Sequence, residues 1–314
     1  MRAARIHDWD KPPVVEDIPV PTRRPGETLV RVDAATVSHL DITVSTGRFE
    51  LVPPLPYVPG CEGAATVLES DTHAPGTQVI FRDGVIGLDR DGTWREQVAV
   101  SDDALMPLGT PLDPAIAATF FVPTTTAYVA LFDVGALESG QTVLVSGATG
   151  AVGSMALQLA QDAGAEVIAL VSRADRLARL PEGVRGVALD DAAATSALRD
   201  AKSADLLLDT IGGQSLSERI GWVKPGGKVA CLGYTAGTEL TIDLPNWFFS
   251  DVTIAPVNLL NKEPRAQEVA RSLLPKIADG TLRVTVEEFS LDEASTALER
   301  LSHGSVTGRA VIRF

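Results

Sequence analysis

The first third of the chain consists of short apolar runs separated by proline and glycine. Residues 1 to about 110 contain valine- and threonine-rich runs, among them LVRVDAATV, GAATVLES, TQVIF and REQVAV. Runs of this length and composition favour β-strands. The pattern therefore predicts a β domain of barrel type in this part of the chain.

Helical spacing of apolar residues begins near residue 115, in PLDPAIAATFFVPTTTAYVALFDVG, where the Asp113–Pro114 pair can begin a helix. From residue 142 to residue 254, apolar strands alternate with helical patterns, including DRLARL and SLSERIGWV. This is the βαβ order of a parallel sheet. The tail predicts a helix, a strand, a second helix and a last strand, in PRAQEVARSLLPKIADG, RVTVEEFSL, DEASTALERLSHG and RAVIRF.

Length and charge limit the classes of protein to consider. A chain of 314 residues favours two domains, and a cleft between domains is the usual place for a site. The net charge of -14 disfavours binding to nucleic acid or anionic lipid. We find no apolar segment of signal-peptide length at the N-terminus and no uninterrupted run of eighteen apolar residues, so we expect a cytoplasmic protein without a membrane partner.

A glycine-rich turn joins the first strand of the βαβ region to its helix. The strand Thr142 to Ser146 leads into Gly147, Gly150 and Gly153. Any tight strand-to-helix turn can use glycines, but here strand, turn, helix and second strand follow in the register of a dinucleotide-binding unit. We therefore expect a cofactor pyrophosphate at the helix N-terminus, in contact with Ala148, Thr149, Gly150, Ala151 and Val152.

The second strand of this region indicates which cofactor binds. It ends at Ser172, where an NAD-specific site would carry an acidic residue. Arg173 and Arg176 follow, and guanidinium groups suit the 2′-phosphate of NADPH. We expect NADPH rather than NADH. The alternative is that the two arginines only solvate a helix start, with Asp175 paired to one of them.

Two further strands end in residues that we expect to line the nicotinamide ribose. Their positions at the carboxyl edge of the sheet are where Rossmann ligands lie, although the glycines among them are also ordinary turn residues. The predicted contacts are Asp209, Ile211, Gly233 and Tyr234.

Several segments together resemble the medium-chain dehydrogenase/reductase superfamily, specifically its zinc-independent quinone oxidoreductase branch. They are VPGCEGAATV at 58 to 67, TTTAYVALFDVGALESGQTVLVSGATGAVG at 124 to 153, DLLLDTIGG at 205 to 213, VKPGGKVACLGY at 223 to 234 and the terminal VTGRAVIRF. The resemblance covers nearly the whole chain. It implies a Rossmann domain with a doubly wound parallel sheet at 119–255 and a GroES-like β-barrel catalytic domain at 1–118, completed by 256–314.

The resemblance also implies the metal content. Zinc alcohol dehydrogenases of this superfamily take ligands from positions that correspond to Ser38 and Cys61, and both residues differ from the ligands used there. A catalytic zinc needs about three protein ligands. His39, Asp41, Cys61 and Glu62 are the remaining donors nearby, and a free cysteine is usually a small buried apolar residue. We expect no zinc.

Catalytic candidates follow from the same resemblance. Many quinone oxidoreductases have an asparagine and tyrosines facing the nicotinamide, and these positions correspond to Ser38, Thr43 and Phe49. The hydroxyls of Ser38 and Thr43 remain candidates to hydrogen-bond a substrate carbonyl. His39 has an ordinary pKa near neutrality, although a lone histidine in a β domain is more often structural.

A polar triplet, Thr124 to Thr126, interrupts an apolar segment after Pro123. The family places this segment beneath the nicotinamide, so Thr124 is both a catalytic and a cofactor-binding candidate. The alternative is that one of the threonines caps a helix. Asn258 is expected either to contact the nicotinamide carboxamide, as in relatives, or to be a loop residue.

The function implied is NADPH-dependent, zinc-free transfer of hydride to a quinone or an α,β-unsaturated carbonyl compound. The alternatives are an enoyl-thioester reductase and a catalytically silent NADPH-binding sensor or crystallin-type binding protein. The run from Val252 to Val257 predicts an edge strand that pairs with a second subunit, so a homodimer is expected. Pro256 would limit the length of that ladder.

Overall fold

The computed structural model describes residues 1–314 and divides into two compact units. The first comprises Met1–Val122 and Leu273–Phe314, and the second comprises Pro123–Ser272. The boundaries predicted at 118/119 and 255/256 both lie N-terminal to these borders. Helix α2 (Pro114–Tyr128) runs through the first border and helix α7 (Glu263–Ala278) through the second, so no turn in the chain marks either one.

The first unit is built on a seven-stranded sheet with a separate two-stranded ribbon. The strands of the sheet are β3 (Glu27–Val37), β4 (Gly63–Glu69), β5 (Gln78–Phe81), β6 (Gln97–Ser101), β7 (Leu105–Pro107), β14 (Val286–Ser290) and β15 (Arg309–Arg313), and the ribbon pairs β1 (Arg2–Arg5) with β2 (Val14–Asp17). The sheet has the order β14-β15-β3-β4-β5-β7, with β6 paired to one end of β3. Only β14 and β15 run parallel; the other pairs are antiparallel.

Alternating side chains of this sheet form the core of the first unit. Val30 and Val32 of β3 are fully buried together with Val98 of β6 and Trp94. Because successive side chains of a strand point to opposite faces, the alternation along β3 creates one apolar face. Two helices lie wholly within the unit, α1 (His39–Ser45) and α8 (Ala294–Ser302).

The second unit contains a six-stranded, fully parallel sheet with helices between its strands. The elements are β8 (Thr142–Ser146), α3 (Ala151–Asp162), β9 (Glu166–Val171), β10 (Arg185–Ala188), α4 (Ala192–Ala201), β11 (Ala204–Asp209), α5 (Leu216–Ile220), β12 (Val223–Cys231), α6 (Leu244–Ser250) and β13 (Thr253–Pro256). The strand order is β10-β9-β8-β11-β12-β13. Numbered along this unit, the order is 3-2-1-4-5-6, which is the Rossmann arrangement. The predicted fold class is therefore confirmed.

Some predicted helices differ from the structure. The DRLARL segment forms a 3₁₀ helix, Ala174–Arg179, and the helix in SLSERIGWV is limited to Leu216–Ile220. The predicted start of α2 is confirmed, because the Asp113 carboxylate accepts a hydrogen bond from the amide of Ala115 at 2.9 Å. Helix α2 continues into a π-helical turn, Val129–Val134. Further 3₁₀ turns lie at Asp102–Ala104, Leu260–Lys262 and Leu291–Glu293.

One helical segment, Pro114–Val134, is long and apolar enough to cross a membrane by length and composition. Most of it is buried within the protein. The core helix of a soluble protein has the same properties, so the segment is weak evidence for a membrane span.

Candidate cofactor and active sites

The turn between β8 and α3 leaves backbone amides available to an anion. Gly147 has a positive φ of 61°, and Gly150 is the N-cap of α3 in an extended conformation, with no side chain capping the helix. The first amides of a helix have no intrahelical acceptor. In α3 these belong to Ala151, Val152 and Gly153, and the helix dipole adds positive potential at the same place.

Two of the glycines in this turn are required by close packing. A Cβ on Gly153 would lie 2.3 Å from the carbonyl oxygen of Gly147, and a Cβ on Gly147 would lie 2.2 Å from Oγ1 of Thr210. A Cβ on Gly150 would meet only the Gly147 oxygen, at 3.1 Å. Gly147 and Gly153 are therefore required by the fold, whereas Gly150 leaves open space in front of the helix N-terminus.

A buried ionic network lies behind this turn. Ser146 and Asp209 have no exposed surface, and Arg219 is 2% exposed. Nε of Arg219 donates to Oδ2 of Asp209 at 2.7 Å, and Oγ of Ser146 donates to the same oxygen at 3.0 Å. The amides of Ile211 and Gly212 donate to Oδ1 of Asp209 at 3.1 and 2.6 Å. The Asp209 carboxylate is thus directed into the protein.

Arg219 and Ser146 were missed in the sequence analysis. The signal was present for Arg219, which lies one helical turn after Leu216 and next to Ile220. Both of those residues are buried. Residues three or four positions apart share a helix face, so a charged side chain here lies on the buried side of α5.

At the end of β9 the structure favours the alternative interpretation for one arginine. Nε and Nη2 of Arg173 donate to the two carboxylate oxygens of Asp175, each at 2.9 Å. Ser172 is exposed beside this pair and Arg176 is half-buried. The hydrogen bond from Arg173 is the main cause that lowers the pKa of Asp175. Asp175 therefore stays ionised and accepts both hydrogen bonds from the guanidinium of Arg173.

The predicted residues at the ends of β12 and β13 lie in different surroundings. A Cβ on Gly233 would lie 1.8 Å from the carbonyl oxygen of Thr210, so β12 and β11 end in direct backbone contact. Tyr234 follows with 47% of its surface exposed. Asn258 is exposed, and its Oδ1 accepts a hydrogen bond from the amide of Leu260 at 3.0 Å, as a loop asparagine does.

In the first unit, three catalytic candidates belong to α1 or to its N-cap. Ser38 is the N-cap of this helix, and its Oγ donates to Oδ2 of Asp41 at 2.7 Å. Oγ1 of Thr43 donates to the carbonyl oxygen of His39 at 3.0 Å. The ring of His39 makes no side-chain hydrogen bond and is exposed; the surrounding protein and the charge of Arg309 lower its pKa. Of the three, only His39 has uncommitted donor and acceptor atoms.

Thr124 belongs to the second unit and lies in the interior of α2. The helix begins ten residues earlier, at Pro114, so the interpretation of the threonine triplet as a helix cap is wrong. Pro123 is tolerated inside this helix, and all three threonines are buried. Oγ1 of Thr124 has no hydrogen-bond partner.

The donors at the zinc positions are engaged in bonds within the protein. The carboxylate of Asp41 accepts hydrogen bonds from Ser38 and from the amide of Gly60, and the Cys61 thiol donates to its Oδ1 at 3.7 Å. Burial raises the pKa of this thiol well above its ordinary value. Glu62 accepts from Arg309 at 3.3 Å and from the amide of Val122 at 3.1 Å.

These side chains do not fit a catalytic zinc. Ser38 offers a hydroxyl in place of a ligand, the Cys61 thiol is turned towards Asp41, and both carboxylates have other partners. No group of three or more His, Cys, Asp or Glu side chains is arranged to hold a metal ion.

Comparison with known proteins agrees with the fold. The alcohol dehydrogenase GroES-like domain family matches residues 24–110, and the zinc-binding dehydrogenase family matches residues 183–312. Mouse (Mus musculus) quinone oxidoreductase is 26% identical in an alignment of 331 positions, gaps included, that covers 99% of this chain and 97% of the relative. The chain belongs to the quinone oxidoreductase-like branch of the medium-chain dehydrogenase/reductase superfamily. It is an oxidoreductase of that superfamily.

Two more members of the superfamily bear on chemistry. Quinone oxidoreductase from Thermus thermophilus, whose structure was also determined in complex with NADPH, has a TM-score of 0.83 and 26% identity, with 100% of each chain covered. Mitochondrial enoyl-acyl-carrier-protein reductase of Xenopus tropicalis is 27% identical over 268 residues, covering 81% of this chain and 75% of the relative.

Proposed function

We propose that the protein is an NADPH-dependent, zinc-free oxidoreductase that transfers hydride to a quinone or an α,β-unsaturated carbonyl compound. The observation that carries this proposal is the turn after β8, where uncapped helix amides face open space at Gly150. The likeness to the mouse quinone oxidoreductase and to the Thermus enzyme supports the substrate class.

The residues of the second unit fit a nicotinamide dinucleotide. Amides of Ala151 and Val152 would hold the pyrophosphate, and Gly233 with Tyr234 would line the nicotinamide ribose. The unpartnered hydroxyl of Thr124 retains hydrogen-bonding capacity for the nicotinamide end. When bound, the nicotinamide supplies the hydride.

The proposal of NADPH rests on the end of β9. No carboxylate follows Val171 directly, and the residue there, Ser172, has a small exposed side chain. Arg173 and Arg176 are the candidates to hold the 2′-phosphate, and the guanidinium of Arg173 pairs with Asp175. Binding of NADPH would offer Arg173 a dianionic partner in competition with that carboxylate.

In place of a metal, side chains must stabilise the negative charge that develops on the substrate oxygen. His39 is the best candidate in the first unit because its ring nitrogens are uncommitted. Its lowered pKa keeps the ring neutral at pH 7, so it donates an N–H hydrogen bond and solvent supplies the final proton. Ser38 and Thr43 would first have to break their bonds to Asp41 and His39.

A second candidate function is reduction of an enoyl thioester. It needs the same stabilisation of negative charge on a carbonyl oxygen, and the frog mitochondrial enoyl reductase supports it. The two functions differ in the acceptor alone, so the same assay separates them.

The test is oxidation of NADPH and NADH, followed by absorbance, with benzoquinone, naphthoquinones, 2-alkenals, cyclic enones and a crotonyl thioester as acceptors. We expect faster turnover with NADPH, unchanged by a chelator, and the best acceptor identifies the substrate class. Loss of activity with the chelator would contradict the zinc-free proposal. Tight NADPH binding without turnover on any acceptor would indicate a sensor instead of an enzyme.

A further inference from the structure

We propose that Arg219 is a positioning residue for the nicotinamide nucleotide, which it does not touch. Together with Asp209 and Ser146, it fixes the loop after β11 against the glycine turn after β8. This inference rests on the proposed function, because it concerns binding of that cofactor.

Arg219 uses most of its donors inside the protein. Besides the bond from Nε to Asp209, Nη1 donates to Oγ of Ser215 at 2.9 Å and Nη2 donates to the carbonyl oxygen of Gly212 at 3.3 Å. The guanidinium therefore spans both ends of the loop from Asp209 to Ser215. The planar fork of arginine makes this possible, and the single ammonium of lysine cannot make all three bonds.

Asp209 carries this constraint to the glycine turn. Its Oδ2 accepts from Ser146, the last residue of β8, immediately before Gly147. Ser146 in turn accepts from the amide of Thr210 at 3.0 Å through its hydroxyl, and its carbonyl oxygen accepts from Oγ1 of Thr210 at 2.9 Å. The two strand ends are thus joined by side chains as well as by the sheet.

Backbone contacts leave this loop little freedom to adjust. Gly212 and Gly213 have positive φ values of 66° and 67°. A Cβ on Gly212 would lie 2.3 Å from the carbonyl oxygen of Gly233, and Gly147 packs equally closely on Thr210. A small displacement of the loop would therefore move both the proposed pyrophosphate turn and the proposed ribose contact at Gly233.

A buried ion pair is weak evidence for stability, because apolar side chains of similar size often replace one without loss. Fully satisfied buried networks do select one conformation. The network therefore has a measurable signature: neutralising both partners should preserve folding and still weaken cofactor binding.

The experiment compares wild type with Arg219→Met, Arg219→Lys, Ser215→Ala and the double variant Asp209→Asn/Arg219→Met. The NADPH affinity is measured by fluorescence titration, and kcat is measured at saturating NADPH. The Tm is measured by calorimetry. We expect the NADPH Kd to rise about tenfold in the double variant, about threefold in Arg219→Lys and about twofold in Ser215→Ala. The Tm of the double variant should stay near that of wild type. Arg199→Met is the matched control. Arg199 of α4 forms an exposed ion pair with Glu218, the neighbour of Arg219 in α5. Breaking this pair should leave the NADPH Kd unchanged.

Folded variants with the Kd and kcat of wild type would overturn the inference, whatever their Tm. Ser215→Ala changes only an exposed side chain, so the comparison is decided even if Arg219→Met fails to fold. A wild-type protein that binds neither NADPH nor NADH would overturn the proposed function first, and the positioning role with it.

Discussion

The proposed preference for NADPH depends on a few side chains after β9. Asp175 holds the guanidinium of Arg173 with two hydrogen bonds. Asp175→Asn should free Arg173 for the 2′-phosphate and remove a repelling charge, lowering KM for NADPH about fivefold and leaving KM for NADH unchanged. Glu182→Gln removes the same charge from an exposed position nearby in the chain and serves as control. An equal effect of both variants would show that only net charge matters.

His39 links stability to pH. Its pKa is lowered from the ordinary value of 6.5 in the folded protein, so the unfolded chain binds the proton more readily. The contribution of the neutral ring is complete above pH 6.5 and is lost as pH falls through the lowered pKa. Between about pH 7.5 and about pH 5.5, Tm should fall more for wild type than for His39→Gln. Calorimetry at both pH values tests this, and parallel curves would contradict it.

In the turn between β8 and α3, we expect Gly150 to serve cofactor binding and Gly153 to serve packing of the fold. Gly150→Ala meets one oxygen at 3.1 Å, so we expect little change in Tm and an NADPH Kd raised about tenfold, because the methyl group occupies the place of the pyrophosphate. Gly153→Ala would place its Cβ 2.3 Å from the Gly147 oxygen, and it should lower Tm as well. Equal losses of Tm in both variants would mean that Gly150 is also a packing residue.

The elements also show what the sequence could predict. The alternation of strands and helices along residues 142–254 and the glycine turn follow from local patterns, and the sequence predicts both. It does not predict the Asp209–Arg219 pair, because its meaning depends on a tertiary bond between a strand end and a helix face. The threonine triplet was ambiguous for a related reason. Proline usually ends or begins a helix, and only the structure places Pro123 inside one, with Thr124 buried behind it.

At the scale of the whole molecule, β13 is the last strand of the parallel sheet and has an open outer edge. We propose that two chains pair there as a homodimer. The amide of Val257 donates inward to Cys231, and amides alternate along a strand, so the amide of Ile254 points outward. Ile254→Pro should therefore give a monomer by light scattering. Ile254→Ala loses the same side chain but keeps the amide, and should remain a dimer. Monomeric wild type would contradict the proposal.

The sheet of the first unit is assembled from both ends of the chain. One edge of β3 pairs with β6 along residues 27–31 and with β15 along residues 34–37, where Ala310 lies opposite Val37. The second unit, in contrast, is one continuous segment. On a translating ribosome the second unit is synthesised before β15, so residues 34–37 of β3 lack this partner until the chain beyond the second unit has been made. A chain released before β15 is made would therefore expose an unpaired strand edge, and such edges favour aggregation.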